Sequence, residues 1–205
     1  MRRTKEEAAI TREQLLKNAL AVFSKNGYAA TSLQDIAREA EVTRGAIYHH
    51  FGGKAELYNT LIRKYSNRGS WIMEQAASEG GGLLDVLRRV FVRQLQAIED
   101  DREMQALMEL YLFKTGLVPE LEEGRQQQIE SGVGLIEMLA GIMSQGMEQG
   151  FLRLDLDPKE MARAYLAFQN GLIQLWLTAP NQFSLKANAE SFADILMVGI
   201  KAQKE

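Results

Sequence analysis

Apolar residues recur along this chain at intervals of three and four, the spacing that lines one face of an α-helix. No stretch alternates apolar and polar residues as a half-buried strand would. The pattern predicts an all-α protein of about nine helices. The first starts near Thr11, where Thr11 and Gln14 fit a capping box, and carries Leu15, Leu16, Ala19, Leu20, Val22 and Phe23 on one stripe up to a C-terminal Gly27. A second begins at Thr31 or Ser32 and buries Leu33, Ile36 and Ala37. Glu41 and Val42 form a turn, and Thr43 caps a third helix that runs to about His50, where Phe51-Gly52-Gly53 breaks it. A fourth runs from about Lys54 into the seventies, ahead of the loop Ser78-Glu79-Gly80-Gly81-Gly82. Helices follow near 83–100 and 102–115, with Asp100 and Asp101 favouring the start of the second. Pro119 opens a short helical segment, and a long helix covers roughly 125–149, ending at Gly150. Asp157-Pro158-Lys159-Glu160 is a strong start signal for a helix to about Ala179, stopped by Pro180; a last helix spans about 185–203.

Within this frame residues 32–54, SLQDIAREAEVTRGAIYHHFGGK, read as helix, tight turn and short helix. That is how a chain presents a few polar side chains to the DNA major groove. Ile36, Ala37 and Ala40 face inward to brace the second helix, and Val42 fills the turn. The Thr43 cap puts a helix N-terminus where a phosphate can approach. Arg44 can donate two hydrogen bonds to guanine O6 and N7, and Gly45 lets the backbone come close. Tyr48 and His49 can reach phosphates or a thymine methyl, and Lys54 can neutralise a phosphate. Arg2, Arg3 and Lys5 form either an arm for the minor groove or a loose tail.

Charge supports this division. The net charge is −3, yet residues 1–65 carry eleven Lys and Arg against seven Asp and Glu, while residues 66–205 carry thirteen against twenty. A basic N-terminal third suggests a polyanionic partner for that part alone. With no cysteine, disulfides, zinc fingers and cysteine nucleophiles are excluded. The two histidines, His49 and His50, are adjacent and diverge on a helix, so no metal site is expected, and no cofactor. A helical enzyme such as a small hydrolase would need a nucleophile or metal constellation. The acidic pairs Asp100-Asp101 and Glu122-Glu123 lie at helix ends without such a partner, and Gly80–Gly82 lacks the lysine of a phosphate loop. No apolar run approaches the ~20 residues of a membrane span, and the first ten residues lack a signal-peptide core, so the cytoplasm is the expected location. The last two long helices carry Leu166, Leu172, Leu175, Trp176, Phe192, Ile195, Leu196, Val198 and Gly199. That is more apolar surface than one interior stripe needs, and a homodimer interface accounts for it.

The segment TSLQDIAREAEVTRGAIYHHFGGKAEL resembles the DNA-binding domain of the TetR/AcrR family of bacterial transcriptional repressors. The match runs through Val42, Thr43, Arg44, Gly45, Ile47, Tyr48, His50, Phe51, Lys54 and Leu57, with Phe23, Gly27, Thr31 and Ile36 upstream. Two positions depart from it: Glu41 stands where the family has a turn glycine, and Gly52-Gly53 is looser than usual. RRTKEEA, MELYLFK and NGLIQLWLTAPNQFSL resemble the AcrR and TtgR branch, repressors of multidrug efflux. The resemblance implies a helix-turn-helix domain over 1–54 and a ligand-binding, dimerising domain over 55–205. It implies a homodimer on double-stranded palindromic operator DNA, released by a small lipophilic or aromatic effector, without a membrane partner. An alternative effector is a metabolite such as a fatty-acyl or quorum-sensing compound. It makes Tyr48 a DNA contact and adds Thr31, Ser32 and Ala46 to the DNA-facing set. For the effector it implies an apolar wall of Tyr65, Leu87, Val90, Phe91, Met108, Leu112, Leu135, Leu166 and Ile173, with Gln94, Gln169, Asn170 and Gln174 as polar anchors.

Overall fold

The structure, a computed structural model, describes residues 5–201; side chains are described from Glu6 onward. Nine α-helices and one 3-10 turn make up these residues: α1 Lys5–Asn26, α2 Leu33–Glu39, α3 Arg44–Phe51, α4 Lys54–Ser78, α5 Leu83–Asp100, α6 Arg102–Phe113, the turn Pro119–Leu121, α7 Glu122–Glu148, α8 Pro158–Thr178 and α9 Leu185–Ile200. No strand forms among them; the one extended contact is a bridge between Leu152 and Lys201. The all-α expectation holds. Among the described residues no helix is long and apolar enough to cross a membrane.

One helix start needs correcting. Thr11 is not a cap: α1 already runs from Lys5, and the Thr11 hydroxyl donates back to the Glu7 carbonyl at 2.8 Å. Lys, Glu and Ala in KEEAAI are strong helix formers, and Glu6 and Glu7 suit the positive end of the helix, so the turn before Thr11 is helical too. The arm proposed for Arg2, Arg3 and Lys5 lies outside the described side chains.

The chain folds into two compact units. The first comprises residues 1–67 and 103–124, the second 68–102 and 125–205. In the first, α1 contributes Leu15, Leu16, Ala19, Leu20 and Phe23 to a core shared with Ile36, Ile47 and Phe51. Leu107 and Leu110 of α6 and Leu121 of the 3-10 turn belong to the same core. Its centre is aromatic: Tyr28 stacks on Phe23 at 5.5 Å between centroids and meets Tyr58 edge-on at 5.1 Å. The backbone is tied in as well, because the Lys114 carbonyl accepts from Tyr28 N–H at 2.9 Å and the Lys114 ammonium donates to the Ser24 carbonyl.

In the second unit α5 packs along α9 in antiparallel sense. Arg88 near the start of α5 pairs with Asp194 and Glu190 of α9. At the other end Glu99 accepts from Ser184 and the Lys186 amide, and Asp100 pairs with the Lys186 ammonium. The interior stripe of α8 carries Tyr165, Gln169, Leu172, Ile173 and Trp176. Tyr165 donates to the Leu87 carbonyl at 2.9 Å, and burial pushes its phenol far above the ordinary range, so it stays a neutral donor. Phe91 links Tyr165 and Phe168, and Phe168 meets Phe192 of α9.

The start signal of α8 forms as the sequence predicts. Asp157 Oδ1 accepts from Lys159 N–H at 2.7 Å and Glu160 N–H at 3.4 Å, with Pro158 as the first helical residue. Asp157→Ala strips that cap and should cost about 1 kcal/mol. Thermal unfolding followed by circular dichroism should show a midpoint lowered by about 2–4 °C. Asp157→Asn, which keeps the acceptor, should restore most of it.

Candidate nucleic-acid interface

The eight residues of α3 are held by caps at both ends and by two anchors. Thr43 Oγ1 accepts from Ala46 N–H at 3.2 Å. Gly52 closes the C-terminus in the left-handed region, φ 76°, its N–H bonded to the Tyr48 carbonyl. Ile47 and Phe51 are buried and point into the first unit's core. With 47 and 51 buried, positions 45 and 49 fall on the opposite side of the helix, and 44 and 48 border the buried face. Arg44, Gly45, Tyr48 and His49 are all exposed, as is Thr43, and Ala46 is half-buried at the edge. His50 is half-buried, with its ring near Phe51.

The turn before α3 accounts for Glu41. Its φ is 53°, which makes it the one non-glycine residue in the left-handed region among the described residues. The N–H of Val42 bonds to the Ala37 carbonyl and that of Glu41 to the Arg38 carbonyl. This pair of bonds is the Schellman closure of a helix C-terminus, which calls for a left-handed residue just past the cap. An L-residue with a Cβ pays about 1–2 kcal/mol there. Two hydrogen bonds and the anchoring of α3 hold it in place.

Three expected DNA-facing side chains are engaged elsewhere. Thr31 is buried and donates to the Gly27 carbonyl at 2.7 Å. Ser32 is exposed, but its oxygen caps α2 by accepting from Asp35 N–H, while its hydroxyl donates to the Asp35 carboxylate at 2.6 Å. Those bonds hold the Asp35 carboxyl below its ordinary pKa. The Lys54 ammonium lies 3.6 Å from Glu120 and over the ring of Tyr28. Thr31 and Lys54 therefore lie within the unit, because the α1–α2 turn and the start of α4 fold onto each other. Arg12 escaped the sequence reading. Its guanidinium lies over the Phe51 ring at 4.9 Å, adding an exposed positive charge beside the end of α3. Nothing in the spacing from 12 to 51 signals that meeting.

The residues expected around an effector divide between the units. In the first, Met108 is buried, Leu112 is exposed, and Tyr65 is half-buried with its phenol pushed up to about 12, first by burial. In the second, Leu87, Val90, Phe91 and Ile173 are buried, and Leu166 and Gln94 are half-buried. Gln169 is buried, its amide donating to the Phe91 carbonyl at 3.5 Å. Leu135, Asn170 and Gln174 are exposed. Gln169 and Ile173 share the interior stripe of α8, and one residue on, Asn170 and Gln174 fall on its outer face. Those two do not anchor anything inside this unit.

A short capped helix, braced by the helix before it and exposing a polar and aromatic face, ahead of an all-helical body, defines a helix-turn-helix DNA-binding regulator. Comparison with known proteins agrees. Residues 15–61 match the family model for bacterial regulatory proteins of the tetR family, and residues 83–201 that for the C-terminal region of MAATS-type transcriptional repressors. The chain is 34% identical over 197 residues to the HTH-type transcriptional regulator AcrR of Shigella flexneri, covering 96% of this chain and 92% of that protein. It is 32% identical over 195 residues to the HTH-type transcriptional regulator TtgR of Pseudomonas putida, covering 95% and 93%. The crystal structure of NalD, the secondary repressor of the MexAB-OprM multidrug efflux pump in Pseudomonas aeruginosa, matches with a TM-score of 0.87 at 26% identity, covering 98% of this chain and 100% of that one. The chain belongs to the TetR family of bacterial transcriptional regulators, as a repressor of that family.

The strain at Glu41 gives a direct test. Glu41→Gly removes the Cβ clash but adds freedom to the unfolded chain, which offsets about 0.4–1 kcal/mol. The net gain should be about 0.5–1 kcal/mol, read as an unfolding midpoint about 1–4 °C higher. A midpoint at or below that of the wild type would mean that the turn carries no strain.

Proposed function

We propose that this protein is a ligand-responsive repressor that binds palindromic operator DNA as a homodimer in the cytoplasm and is released by a small lipophilic or aromatic effector. The observation that carries the DNA-binding half is the outward face of α3: Thr43, Arg44, Gly45, Tyr48 and His49 exposed around an anchored backbone. Arg44 offers the fork that fits guanine, and Tyr48 and His49 offer reach to phosphate.

Dimerisation is supported by the outer faces of α8 and α9. Leu175 is 63% exposed, Ile195 64% and Val198 76%, far more apolar exposure than a solvated helix face needs. Small residues flank them, Ala164, Ala167 and Gly171 on α8 and Gly199 on α9, so two helices from each copy can approach closely. A two-fold dimer presents two copies of α3 to half-sites about one helical turn apart.

An apolar effector is supported by the aromatic and methionine-rich composition of the second unit, where Phe168, Phe183 and Phe192 are only half-buried and Gln169 offers a buried amide. Control of an efflux operon is supported by the relatives: NalD represses a multidrug efflux pump, and a relative in Escherichia coli, 32% identical, is the probable acrEF/envCD operon repressor. The effector must bind the DNA-competent and DNA-incompetent arrangements with different affinity, since equal affinity shifts nothing.

The protein should retard DNA from its own upstream region at micromolar or lower concentration, with affinity falling steeply as salt rises. Arg44→Ala should weaken operator binding by about 1–3 kcal/mol and relax the base preference at one position. Tyr48→Ala should weaken binding with the fold intact by circular dichroism. Wild-type affinity in both variants would show that α3 is not the reading helix.

A further inference from the structure

Lys54 is the first residue of α4, directly after the Gly52-Gly53 break that ends α3. A helix N-terminus carrying a lysine is a favourable place for an anion. In this structure the anion is protein. The Lys54 ammonium lies 3.6 Å from a carboxylate oxygen of Glu120 and 4.2 Å from the centroid of the Tyr28 ring, with 18% of its side chain exposed. Glu120 belongs to the 3-10 turn Pro119–Leu121, which is fixed to the same compact unit on both sides. Upstream, the Thr115 hydroxyl bonds to the Tyr58 phenol at 2.8 Å, and Lys114 is tied to Tyr28 and Ser24. Downstream, Leu121 is buried in the core. The Tyr28 hydroxyl is buried beside this pair without a well-formed hydrogen bond; burial and the neighbouring carboxylate push its pKa up, so it remains neutral.

We infer that Glu120 stands in for a DNA phosphate. It occupies the ammonium that the start of α4 otherwise offers to the operator backbone, and so sets operator affinity by competition. The inference rests on the DNA-binding reading above. A carboxylate oxygen and a phosphate oxygen accept from the same three N–H donors of a lysine, whose four-carbon stem lets the ammonium swing from one to the other. The Glu120 side chain is 51% exposed and stands 3.6 Å from the ammonium, too far for a hydrogen bond, so a phosphate that hydrogen-bonds the ammonium can displace it. Glu120 thus acts on DNA affinity without touching DNA, from the segment that joins α6 to α7.

Fluorescence anisotropy on a mixed-sequence duplex of roughly 30 base pairs, long enough for two half-sites, tests this, because a lysine–phosphate contact is independent of sequence. Titrations between about 50 and 200 mM salt give the affinity and its salt slope. Glu120→Gln should bind about two- to five-fold more tightly than wild type. Lys54→Gln should bind more weakly, with the salt slope of the dimer reduced by about 1.8, about 0.9 for each copy of Lys54. The double variant should bind as Lys54→Gln does, because Glu120 acts only through Lys54. Glu120→Asp, which keeps the charge and shortens the reach, should give a smaller gain and serves if the Gln variant folds poorly. A gain from Glu120→Gln that persists in the Lys54→Gln background would overturn the inference in favour of plain repulsion between a surface carboxylate and DNA. So would a wild-type affinity in both Glu120 variants. A wild-type protein that binds no duplex at all overturns the DNA-binding reading and the inference with it.

Discussion

An eight-residue helix does not stand by itself in water, and the outward face of α3 depends on how that helix is held. Only Ile47 and Phe51 enter the core, because the outward positions are needed for exposure. Two buried side chains do not offset the entropy of fixing eight residues. The remainder comes from outside: Ile36 and Ala37 of α2, the α1 stripe, and caps at both ends. The Schellman turn at Glu41 matters most for direction, since it sets the angle at which α3 leaves α2. A strained residue is tolerated there because the hydrogen bonds of Glu41 and Val42 and the burial of Ile47 all require the same backbone path.

The same dependence explains why α6 and the following 3-10 turn pack with the helix-turn-helix. Leu107, Leu110 and Leu121 complete a core that α1, α2 and α3 leave open. Phe23, Tyr28 and Tyr58 fill the space between. Once Lys114 and Thr115 are bonded to this core, charged residues of the connecting segment come close to the start of α4, and Glu120 meets Lys54. The ion pair is therefore a consequence of core packing and not of local sequence.

What the sequence made legible follows the same line between local and distant. The caps at Ser32, Thr43 and Asp157, the break at Gly52 and the helix end at Gly150 are decided within a few residues, and each lies where the pattern puts it. The demand for positive φ at Glu41 was visible as a residue standing where a glycine is usual. Thr11 misled because a cap-like residue also fits inside a helix once good helix formers precede it. Thr31 and Lys54 read as surface polar groups, and only the fold shows one hydroxyl turned to Gly27 and one ammonium turned to Glu120. Asn170 and Gln174 read as interior because apolar residues surround them in sequence. One residue is about 100° of helix rotation, enough to carry them off the interior stripe of Gln169 and Ile173.

Those outer positions of α8 bear on how a protein with so small a reading surface can bind tightly. One α3 presents a single arginine fork, one aromatic side chain and a handful of possible phosphate contacts, which is little for a lone site. If Leu175, Ile195 and Val198 join two copies, the second half-site is bound at a high effective concentration, and two weak engagements become one strong one. That gain disappears when the two copies of α3 no longer match the spacing of the grooves. Tight binding and easy release would then have one origin: with each half-site weak alone, an effector of the kind proposed would need only to spoil the spacing between them and would leave either reading helix intact.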